Sequence, residues 1–563
     1  MGLSDAVTVV ESMQALPRTE GRGFTFRSVA GEERFFGWGP LWDEVRRRAQ
    51  RLVNIGLMPG DRLAVVVADP AEFVLVFLAA LTAGVVPVPI YPRASFKAKN
   101  SYADTVAHIL QASGARMVIT TTDTRPLLDD AIARTPELEK AVILEEFLEG
   151  PLAEVELPTV SAQDICFLQF TSGSTSMPKG VVVTHASLVA NARDFLGPNG
   201  LDRRPQDIGL TWLPLYHDMG LIGFVLGTLI CDIPVHFLPT ESFGRRPGLW
   251  LEKISELRAT ITFAPNFAYA LATKRARARD LETLDLSSLR IAGCGAEPIS
   301  ADVMRAFCDK LGPVGLDPRA LLPCYGMAEA TLAITFAPHD GPVETRTVDA
   351  AAMQAGRAEP PRDGERSLEF VSCGRPFPDS ELRIVGEDGH GMQDGRVGEI
   401  HSRGPGIAAG YYESPEATAE GFGDGWLKTG DLGFVADGQL YVCGRLKDLI
   451  IVRGANHYPQ DIEWAVAEVP GVRRDNVVAF SVMSGGEEQL VVAAEGNSGD
   501  AAELRRTIAA KVSETAGIRT HHVAVVRVGS LPKTSSGKVQ RRRTRALFEA
   551  GELEEHPAGA AIT

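Results

Sequence analysis

A loop rich in hydroxyl side chains separates two apolar runs of the chain. The run ICFLQF covers residues 165–170, and the run GVVVT covers residues 180–184. Between them lie Thr171, Ser172, Gly173, Ser174, Thr175, Ser176 and Lys179. Backbone N–H groups and hydroxyls in such a loop can converge on an anion, and Lys179 adds a positive charge. The pattern favours a polyphosphate ligand, although a polar turn between two strands could have the same composition.

The loop differs from the phosphate-binding sequence of P-loop enzymes. That sequence places glycine, lysine and then serine or threonine before a helix. Here Pro178, Lys179 and Gly180 lead into a valine-rich segment with the character of a strand. The sequence therefore predicts that this loop lies between two strands.

Four further stretches carry side chains that could take part in chemistry. They are YGMAEAT at residues 325–331, WLKTGDLG at 426–433, GRLKD at 444–448 and LPKTSSGK at 531–538. Each also has an ordinary structural explanation. Tyr325 could be a core aromatic, Glu329 a capping acid, Asp431 a turn acid and Lys538 a solvated lysine.

Apolar runs of helix and strand length alternate through the first 340 residues or so. This alternation predicts parallel sheets covered by helices, which is an α/β fold. Predicted strands cover residues 62–67, 85–90, 115–120, 234–238, 259–263 and 289–294. Predicted helices cover residues 42–55, 70–83, 108–113, 187–196, 249–257 and 300–311, the last with Ser300 as its N-cap.

The pattern changes twice in the remainder of the chain. Residues 345–368 show little periodicity, and residues 371–452 contain short apolar runs separated by glycine turns, which predict a small β-barrel or sandwich. From residue 458 onward, helices and strands form a compact α+β unit. We therefore predict a large domain at 1–446, with two α/β subdomains and a β-rich subdomain at 371–446. A small mobile domain should follow at 447–563.

Composition limits the classes of function. The formal charge of −15 argues against a nucleic-acid-binding protein, which would need a basic surface. The cysteines are scattered singly without a C-x-x-C pair, which fits buried thiols in a reducing cytoplasm. The longest uncharged run, residues 73–91, contains Gly84, Pro87 and Pro89. It predicts a buried helix and a strand, so we expect no membrane insertion.

The order and spacing of these motifs resemble the adenylate-forming superfamily of acyl-CoA synthetases, adenylation domains and luciferases. The resemblance covers nearly the whole chain and is closest to the fatty acyl-AMP ligases. It rests on WLPLYHDMGLIG at 212–223, YGMAEATL at 325–332 and DLIIVRGANHYPQDIE at 448–463. It implies that the irregular segment 345–368 is an insertion that acyl-CoA ligases lack.

The resemblance implies an ATP site and a magnesium site. Tyr325 would stack on adenine, Asp431 and Arg445 would bind the ribose, and Glu329 would hold Mg²⁺ together with Thr175. The phosphates would lie against Thr171, Ser172, Gly173, Ser174, Thr175 and Lys179. The adenine would lie against Gly295, Ala296, Glu297, Gly326 and Met327. Family sequences usually have threonine before the glutamate, whereas this chain has Ala328, as fatty acyl-AMP ligases do.

The resemblance also implies the catalytic groups and the hinge. Lys538 would bridge the substrate carboxylate and the α-phosphate, with Glu329 and Lys179 as the other catalytic groups. Lys447 would be the hinge between the two domains. His217, Asp218 and Met219 would shape the acyl pocket, and residues 221–230 would supply its wall or simply part of the core. A metal phosphohydrolase site is the alternative interpretation of the His-Asp pair.

These inferences predict a cytoplasmic enzyme that converts a fatty acid and ATP to acyl-AMP and pyrophosphate. The acyl group would then pass to the phosphopantetheine thiol of an acyl carrier protein that serves a polyketide or peptide synthase. A fatty acyl-CoA ligase is the alternative with the same first reaction. A non-catalytic acyl-nucleotide-binding protein is a third possibility, which the presence of Lys538, Glu329 and Lys179 disfavours.

Overall fold

A large mixed sheet forms the centre of the molecule in the computed structural model. The model describes residues 5–92, 99–150, 152–171, 177–339, 341–452, 455–484, 487–496, 501–534 and 538–556. In spatial order the strands of this sheet are Arg375–Pro376, Ala333–Phe336, Leu321–Gly326, Ile291–Cys294, Ile261–Ala264, Gly209–Thr211, Val235–Phe237, Gly23–Arg27 and Glu33–Gly37. The strands from Leu321–Gly326 to Gly23–Arg27 run parallel, which confirms the predicted α/β class.

A smaller parallel sheet lies beside the predicted phosphate loop. Its strands, in spatial order, are Val86–Pro89, Arg62–Val66, Met117–Thr120 and Lys140–Ile143. Val86–Pro89 packs next to the strand Ile165–Phe170, which forms an antiparallel hairpin with Gly180–Thr184. The prediction of a loop between two strands is therefore confirmed. The predicted residues Ser172, Gly173, Ser174 and Thr175 lie outside the described residues.

Helices cover both sheets. Their bounds in the first 340 residues are Val9–Ala15, Trp38–Asn54, Pro70–Thr82, Lys99–Ser113, Arg125–Ala133, Leu144–Glu149, His185–Leu196, Asp218–Leu221, Gly227–Ile230, Thr240–Arg245, Gly248–Leu257, Asn266–Arg275, Ala278–Leu281 and Ala301–Leu311. Several begin at side-chain caps: Asp69 accepts from the backbone of Glu72, and Ser300 accepts from that of Val303, as predicted. Pro70–Thr82 is buried almost throughout, which explains its uniformly apolar sequence.

The segment 345–368, predicted to be irregular, has regular elements at both ends, and residues 355–366 between them lie outside the helices and strands. Thr345–Asp349 pairs with Ser367–Val371 as an antiparallel hairpin, and the short helix Ala350–Gln354 lies within it. Asp349 caps this helix by accepting from the backbone N–H of Ala352 at 2.6 Å. Val348 and Met353 are fully buried against the neighbouring β-rich region. A few buried side chains thus suffice to order a segment that has little periodicity.

Residues 381–445 form an antiparallel sheet. Its strands are Glu381–Val385, Gly398–Arg403, Leu427–Ala436 and Gln439–Arg445, with the helix Pro415–Gly421 before the third strand. The structure places short strands where they were predicted.

The C-terminal part has a core of its own. A sheet of Val472–Ser484, Glu487–Gly496 and Thr520–Val526 packs against the helices Pro459–Ala467, Ala501–Ala516 and Arg541–Glu549. A small hairpin of Ile450–Val452 and Ala455–His457 precedes them. Ile462, Leu504 and Ile508 are among its buried residues. The α+β character predicted for this part agrees with the structure.

Among the described residues, no helix combines the length and the apolarity needed to cross a membrane.

Candidate functional site

The ends of the predicted phosphate loop are fixed by hydrogen bonds. The backbone N–H of Thr171 donates to the carbonyl oxygen of Lys179 at 3.1 Å and closes the base of the loop. A ring nitrogen of His108 lies 2.8 Å from the carbonyl oxygen of Pro178. The loop therefore begins and ends at defined positions, and Lys179 directly precedes the strand Gly180–Thr184.

Tyr411, which the sequence analysis missed, lies beside this lysine. The Nζ atom of Lys179 is 4.9 Å from the centre of the Tyr411 ring, a distance at which a cation and an aromatic face attract each other. The Tyr411 hydroxyl donates to Oε1 of Glu329 at 2.9 Å. The motif GYYESPEAT around Tyr411 was the available signal, but an aromatic residue in a glycine-bounded segment does not by itself indicate a site.

Glu329 is buried on a short 3₁₀ turn, Ala328–Ala330, directly after Met327. Burial raises the pKa of Glu329, and the hydrogen bond from Tyr411 acts in the opposite direction. An acid at this position is held in place by its neighbour and has lost most of its water. A nearby cation stabilises the ionised form of such a carboxylate in place of the lost water.

The backbone after Glu329 is strained. Thr331 has φ +62° and ψ −61°, and the N–H of Leu332 donates to the carbonyl of Ala330 at 2.7 Å, which defines a tight γ-turn. The buried side chain of Asn191 holds the next residue, Ala333, through its N–H at 3.0 Å and its carbonyl at 2.8 Å. Strain of this kind persists only where surrounding contacts enforce it, so the position of Glu329 is closely determined.

Tyr325 and Asp431 form a second group of contacts. The Tyr325 hydroxyl donates to Oδ2 of Asp431 at 2.8 Å, and Nε of Arg445 lies 3.3 Å from Oδ1. Thr429 accepts from the backbone N–H of Asp431 at 3.1 Å. Burial raises the pKa of Asp431, while the charge of Arg445 favours the ionised form. The structure thus joins three residues that were predicted from separate motifs.

The predicted adenine-lining segment follows the strand Ile291–Cys294. A side chain at Gly295 would place its Cβ atom 2.7 Å from the Cys324 sulfur, so only glycine fits between these neighbouring strands. Ala296 has φ +69°, and Glu297 accepts from the backbone N–H of Phe267 at 2.7 Å. Gly326 is equally confined, because a Cβ atom there would overlap the carbonyl of Leu332. These contacts fix a tight backbone edge next to Tyr325.

Lys538 reaches this edge from the C-terminal part of the chain. Its Nζ atom donates to the carbonyl oxygen of Ala296. Burial lowers the pKa of Lys538, and the nearby carboxylates of Glu297, Asp218 and Asp431 partly offset this effect. The predicted catalytic lysine therefore lies among the other predicted residues.

His217 and Asp218 lie at the start of the helix Asp218–Leu221. Burial lowers the pKa of His217 to about 4, with Asp218 raising it and Lys538 lowering it further. The imidazole is therefore neutral at neutral pH. No group of three or more His, Cys, Asp or Glu side chains able to hold a metal ion occurs among the described residues.

A small apolar cavity of about 30 Å³ has Met219 among its lining residues. A π-helical turn, Ile222–Leu226, lies within the segment 221–230 and presents Gly223 and Phe224 to the cavity. The other lining residues are Phe195, Leu196, Leu201, Gly209, Thr228, Ile233, Ile261, Phe263, Leu332 and Phe336. Because Leu332 belongs to the strained turn after Glu329, the cavity and the acid share one short segment. Of the segment 221–230, for which pocket wall and core were both open, Gly223, Phe224 and Thr228 line this cavity.

Lys447 is exposed on a 3₁₀ turn, Leu446–Asp448, that joins the two parts of the chain. Asp448 forms an ion pair with Arg541 at 2.6 Å, and the side chain of Gln460 donates to the carbonyl of Cys443. The ion pair ties the turn to the helix Arg541–Glu549, and the bond from Gln460 ties the C-terminal part to the strand Gln439–Arg445 before the turn.

Two family models match the chain. The model described as AMP-binding enzyme matches residues 18–412, and the model described as Disco-interacting protein 2-like, AMP domain, matches residues 447–557.

Several characterised or named proteins are similar over nearly their whole length. A Caulobacter vibrioides protein provisionally named an acyl-CoA synthetase is 37% identical, and the alignment covers 94% of this chain and 93% of that protein. The long-chain-fatty-acid–AMP ligase FadD26 of Mycobacterium marinum is 35% identical, with 94% of both chains covered. The medium-chain-fatty-acid–[acyl-carrier-protein] ligase JamA of Moorena producens is 33% identical, with 89% and 88% covered.

A solved structure from a study of fatty acyl-adenylate ligases of E. coli and L. pneumophila is similar to the whole molecule. Its TM-score is 0.92 at 34% identity, with 98% of this chain and 99% of the other chain covered.

Proposed function

We propose a reaction for this chain, which belongs to the AMP-binding enzyme family and to its fatty acyl-AMP ligase branch. The chain is an adenylate-forming enzyme, and its reaction joins a fatty acid to AMP with release of pyrophosphate. We assign this reaction to the site described for this chain on one observation, the contact of the Lys538 side chain with the backbone of Ala296. It brings a cation from the C-terminal part beside the residues of the proposed nucleotide site.

ATP would bind across the groups described above. The Asp431 carboxylate, oriented by Tyr325 and Thr429, would accept hydrogen bonds from the ribose hydroxyls, with Arg445 assisting. The adenine would stack on Tyr325 and lie against the backbone of Gly295, Ala296, Glu297, Gly326 and Met327. The phosphates would lie at the loop that Thr171 and Lys179 close, where Ser172, Gly173, Ser174 and Thr175 are also expected to contribute.

Mg²⁺ fits the donor set at Glu329. Mg²⁺ is commonly held by one or two carboxylates together with substrate phosphates, rather than by a complete protein cage. Glu329 supplies such a carboxylate, buried and oriented by Tyr411, near the proposed phosphate loop. Thr175 is the second ligand proposed from the sequence. When bound, Mg²⁺ would neutralise negative charge on the phosphates.

Lys538 would act where the two reactants meet. An oxygen of the substrate carboxylate attacks the α-phosphorus, and the bond from this phosphorus to the oxygen bridging the β-phosphate breaks. Pyrophosphate leaves with the electron pair, and acyl-AMP remains. The Lys538 ammonium would stabilise the charge on the carboxylate and the α-phosphate, while Lys179 would stabilise the leaving pyrophosphate. No protein nucleophile is needed.

The acyl chain would enter the apolar cavity beyond Met219. The cavity is lined almost entirely by aliphatic and aromatic side chains, which suits a hydrocarbon chain. At about 30 Å³ the cavity is too small for a fatty-acid chain, so its walls would move apart when the substrate binds. His217 and Asp218 would lie between the cavity and Lys538, and the neutral His217 can face an acyl carboxyl group without adding charge.

The acceptor of the acyl group would be the phosphopantetheine thiol of an acyl carrier protein. The name of the relative JamA supports this choice, because it describes that protein as an acyl-carrier-protein ligase. The thiol attacks the acyl carbonyl and AMP leaves. We further propose that the carrier serves a polyketide or peptide synthase and that the enzyme is cytoplasmic, where its free cysteines stay reduced.

Segment 345–368 supports the choice of a carrier protein over free CoA. Its helix Ala350–Gln354 packs against the strand Ala455–His457 of the C-terminal part. Arg366 extends to the same part, where a Cβ atom at Gly517 would lie 3.7 Å from a guanidinium nitrogen, and the charge of Arg366 acts on Asp461. We propose that these contacts restrict rotation about Lys447 to a range that serves transfer to a carrier protein, and hinder the further rotation that CoA chemistry would need. We propose the domain boundary between residues 446 and 447, within the 3₁₀ turn Leu446–Asp448.

A fatty acyl-CoA ligase is the second candidate, which the provisional name of the Caulobacter relative favours. It shares the first reaction and differs only in the acceptor.

The first reaction is tested by fatty-acid-dependent release of pyrophosphate, with acyl-AMP identified by mass spectrometry. We expect pyrophosphate and acyl-AMP in equal amounts when ATP, Mg²⁺ and a fatty acid are all present. Binding of the fatty acid and ATP without pyrophosphate release would instead support a non-catalytic acyl-nucleotide-binding protein.

A further inference from the structure

Tyr411 lies between two charged side chains that are distant in sequence. Its hydroxyl donates to Oε1 of Glu329 at 2.9 Å, and its ring centre lies 4.9 Å from Nζ of Lys179. The ring also packs edge-on against Phe422, with the ring centres 5.4 Å apart. One side chain therefore contacts both the proposed metal ligand and the lysine of the phosphate loop.

The backbone around Tyr411 is fixed to the hairpin that carries the loop. The N–H of Val182 donates to the carbonyl of Gly410 at 2.9 Å, and the N–H of Tyr412 donates to the carbonyl of Gly180 at 2.8 Å. The N–H of Tyr411 itself donates to Oγ1 of Thr418 at 2.9 Å. Tyr411 thus forms an isolated antiparallel bridge with Val181, and these bonds tie its backbone to the strand that follows Lys179.

A glycine makes this approach possible. Gly410 has φ +130°, and a Cβ atom there would lie 2.5 Å from the Thr418 side chain. Any other residue would therefore push Thr418 away from the Tyr411 backbone, which Thr418 anchors. The close approach of Gly410 to Thr418 thus helps to hold Tyr411 in place.

We propose that Tyr411 is a positioning residue for the divalent cation that Glu329 would hold, an inference that rests on the proposed function. The hydroxyl donates a hydrogen bond to one carboxylate oxygen of Glu329. This bond limits rotation of the carboxylate and orients its other oxygen. Partners of this kind orient metal-binding carboxylates, and their loss commonly weakens metal affinity by about tenfold or more. The ring face meanwhile keeps the Lys179 ammonium at the base of the phosphate loop.

Two substitutions separate the hydroxyl from the ring. Tyr411→Phe removes the hydrogen bond to Glu329 and keeps the ring beside Lys179 and Phe422. Tyr411→Leu removes both. Tyr412→Phe is the matched control, because Tyr412 is the next residue and its ring lies 5.8 Å from the Arg62 guanidinium. Tyr412→Phe thus removes the same phenol oxygen one residue further along the chain.

The test is Mn²⁺ binding to the full-length protein in the presence of a non-hydrolysable ATP analogue, followed by electron paramagnetic resonance. We expect Tyr411→Phe to weaken Mn²⁺ binding about tenfold. The Mg²⁺ concentration for half-maximal pyrophosphate release should rise by a similar factor, with the KM for ATP at saturating Mg²⁺ little changed. Tyr411→Leu should in addition raise the KM for ATP, and Tyr412→Phe should match the wild type.

Unchanged Mn²⁺ affinity in Tyr411→Phe would overturn the inference. Failure of the wild-type protein to bind Mn²⁺ beside the ATP analogue would instead contradict the proposed role of Glu329, so the two failures are distinguishable. If Tyr411→Phe lowers the melting temperature, binding is measured below its transition. Thr418→Val, which removes the acceptor for the Tyr411 N–H, should then weaken Mn²⁺ binding in the same direction. Wild-type affinity in both variants would also overturn the inference.

Discussion

Lys538 donates a hydrogen bond from its side chain to the backbone carbonyl of Ala296, although 242 positions separate the two residues. Ala296 follows a strand of the large central sheet, and Lys538 belongs to the C-terminal part. The contact therefore records the arrangement of the two parts in which the proposed adenylation groups meet.

Lys538→Ala should abolish most acyl-AMP formation. Removing one preorganised donor from a transition state costs about 10²–10³-fold in rate, and Lys538 brings a cation from the C-terminal part to the proposed site. Acyl-AMP is measured in a single turnover, with Lys533→Ala as the control because Lys533 is an exposed lysine of the same loop. A folded Lys538→Ala protein with a near-normal rate would remove Lys538 from the mechanism.

Lys447→Pro should slow overall turnover more than the adenylation step. Proline fixes φ near −65°, which suits the 3₁₀ turn Leu446–Asp448 and opposes rotation to another angle. We expect ATP affinity to change little and transfer to the acceptor to slow. The two half-reactions are timed separately, with Lys447→Ala as the control. Equal rates of transfer in the two variants would argue against a hinge at this residue.

Gly223→Phe should shorten the fatty acids that the enzyme accepts. Gly223 lines the apolar cavity, and the nearest atom to a Cβ there is a Leu332 methyl at 3.7 Å, so a phenyl ring would extend into the cavity. We expect kcat/KM for long chains to fall by about tenfold or more relative to short chains. Gly223→Ala should fit and serves as the control. An unchanged chain-length profile in Gly223→Phe would place the acyl chain elsewhere.

Asp461 should make stability depend on pH. Burial raises its pKa to about 7, while the charge of Arg366 lowers it. The folded state therefore retains a proton that the unfolded state releases near pH 4, so this contribution to stability is complete below that pH and is lost as pH rises through 7. Between pH 5.5 and pH 8, the melting temperature of the wild type should fall more than that of Asp461→Asn. Parallel curves for the two proteins would contradict this assignment.

The sequence predicted the elements that depend on local periodicity. The loop between the strands Ile165–Phe170 and Gly180–Thr184, and the cap at Ser300, follow from patterns within short windows. The order of segment 345–368 could not be predicted, because it comes from the burial of Val348 and Met353 against distant strands. Tyr411 was missed for the same reason, since its partners Glu329 and Lys179 lie far away in sequence. Motif resemblance, in contrast, found Tyr325, Asp431 and Arg445, which the structure joins.

Arg366→Ala should increase acyl-CoA formation if segment 345–368 restrains the C-terminal part. Arg366 lies beside Gly517, and its charge acts on Asp461. Arg362, another exposed arginine of the same segment, serves as the control. Point substitution is preferable to deletion of the segment, because deletion would expose the buried Val348 and Met353. Equal acyl-CoA output from both variants and the wild type would remove Arg366 from this role.

The most direct test of the account offers one fatty acid, ATP and Mg²⁺ to the intact enzyme together with equal concentrations of CoA and a holo-acyl carrier protein. Mass spectrometry then follows acyl-AMP, acyl-CoA and acylated carrier protein over time. We predict acyl-AMP followed by acylated carrier protein, with little or no acyl-CoA. Acyl-CoA formation at a rate that matches acyl-AMP formation would contradict the account and identify the enzyme as a fatty acyl-CoA ligase.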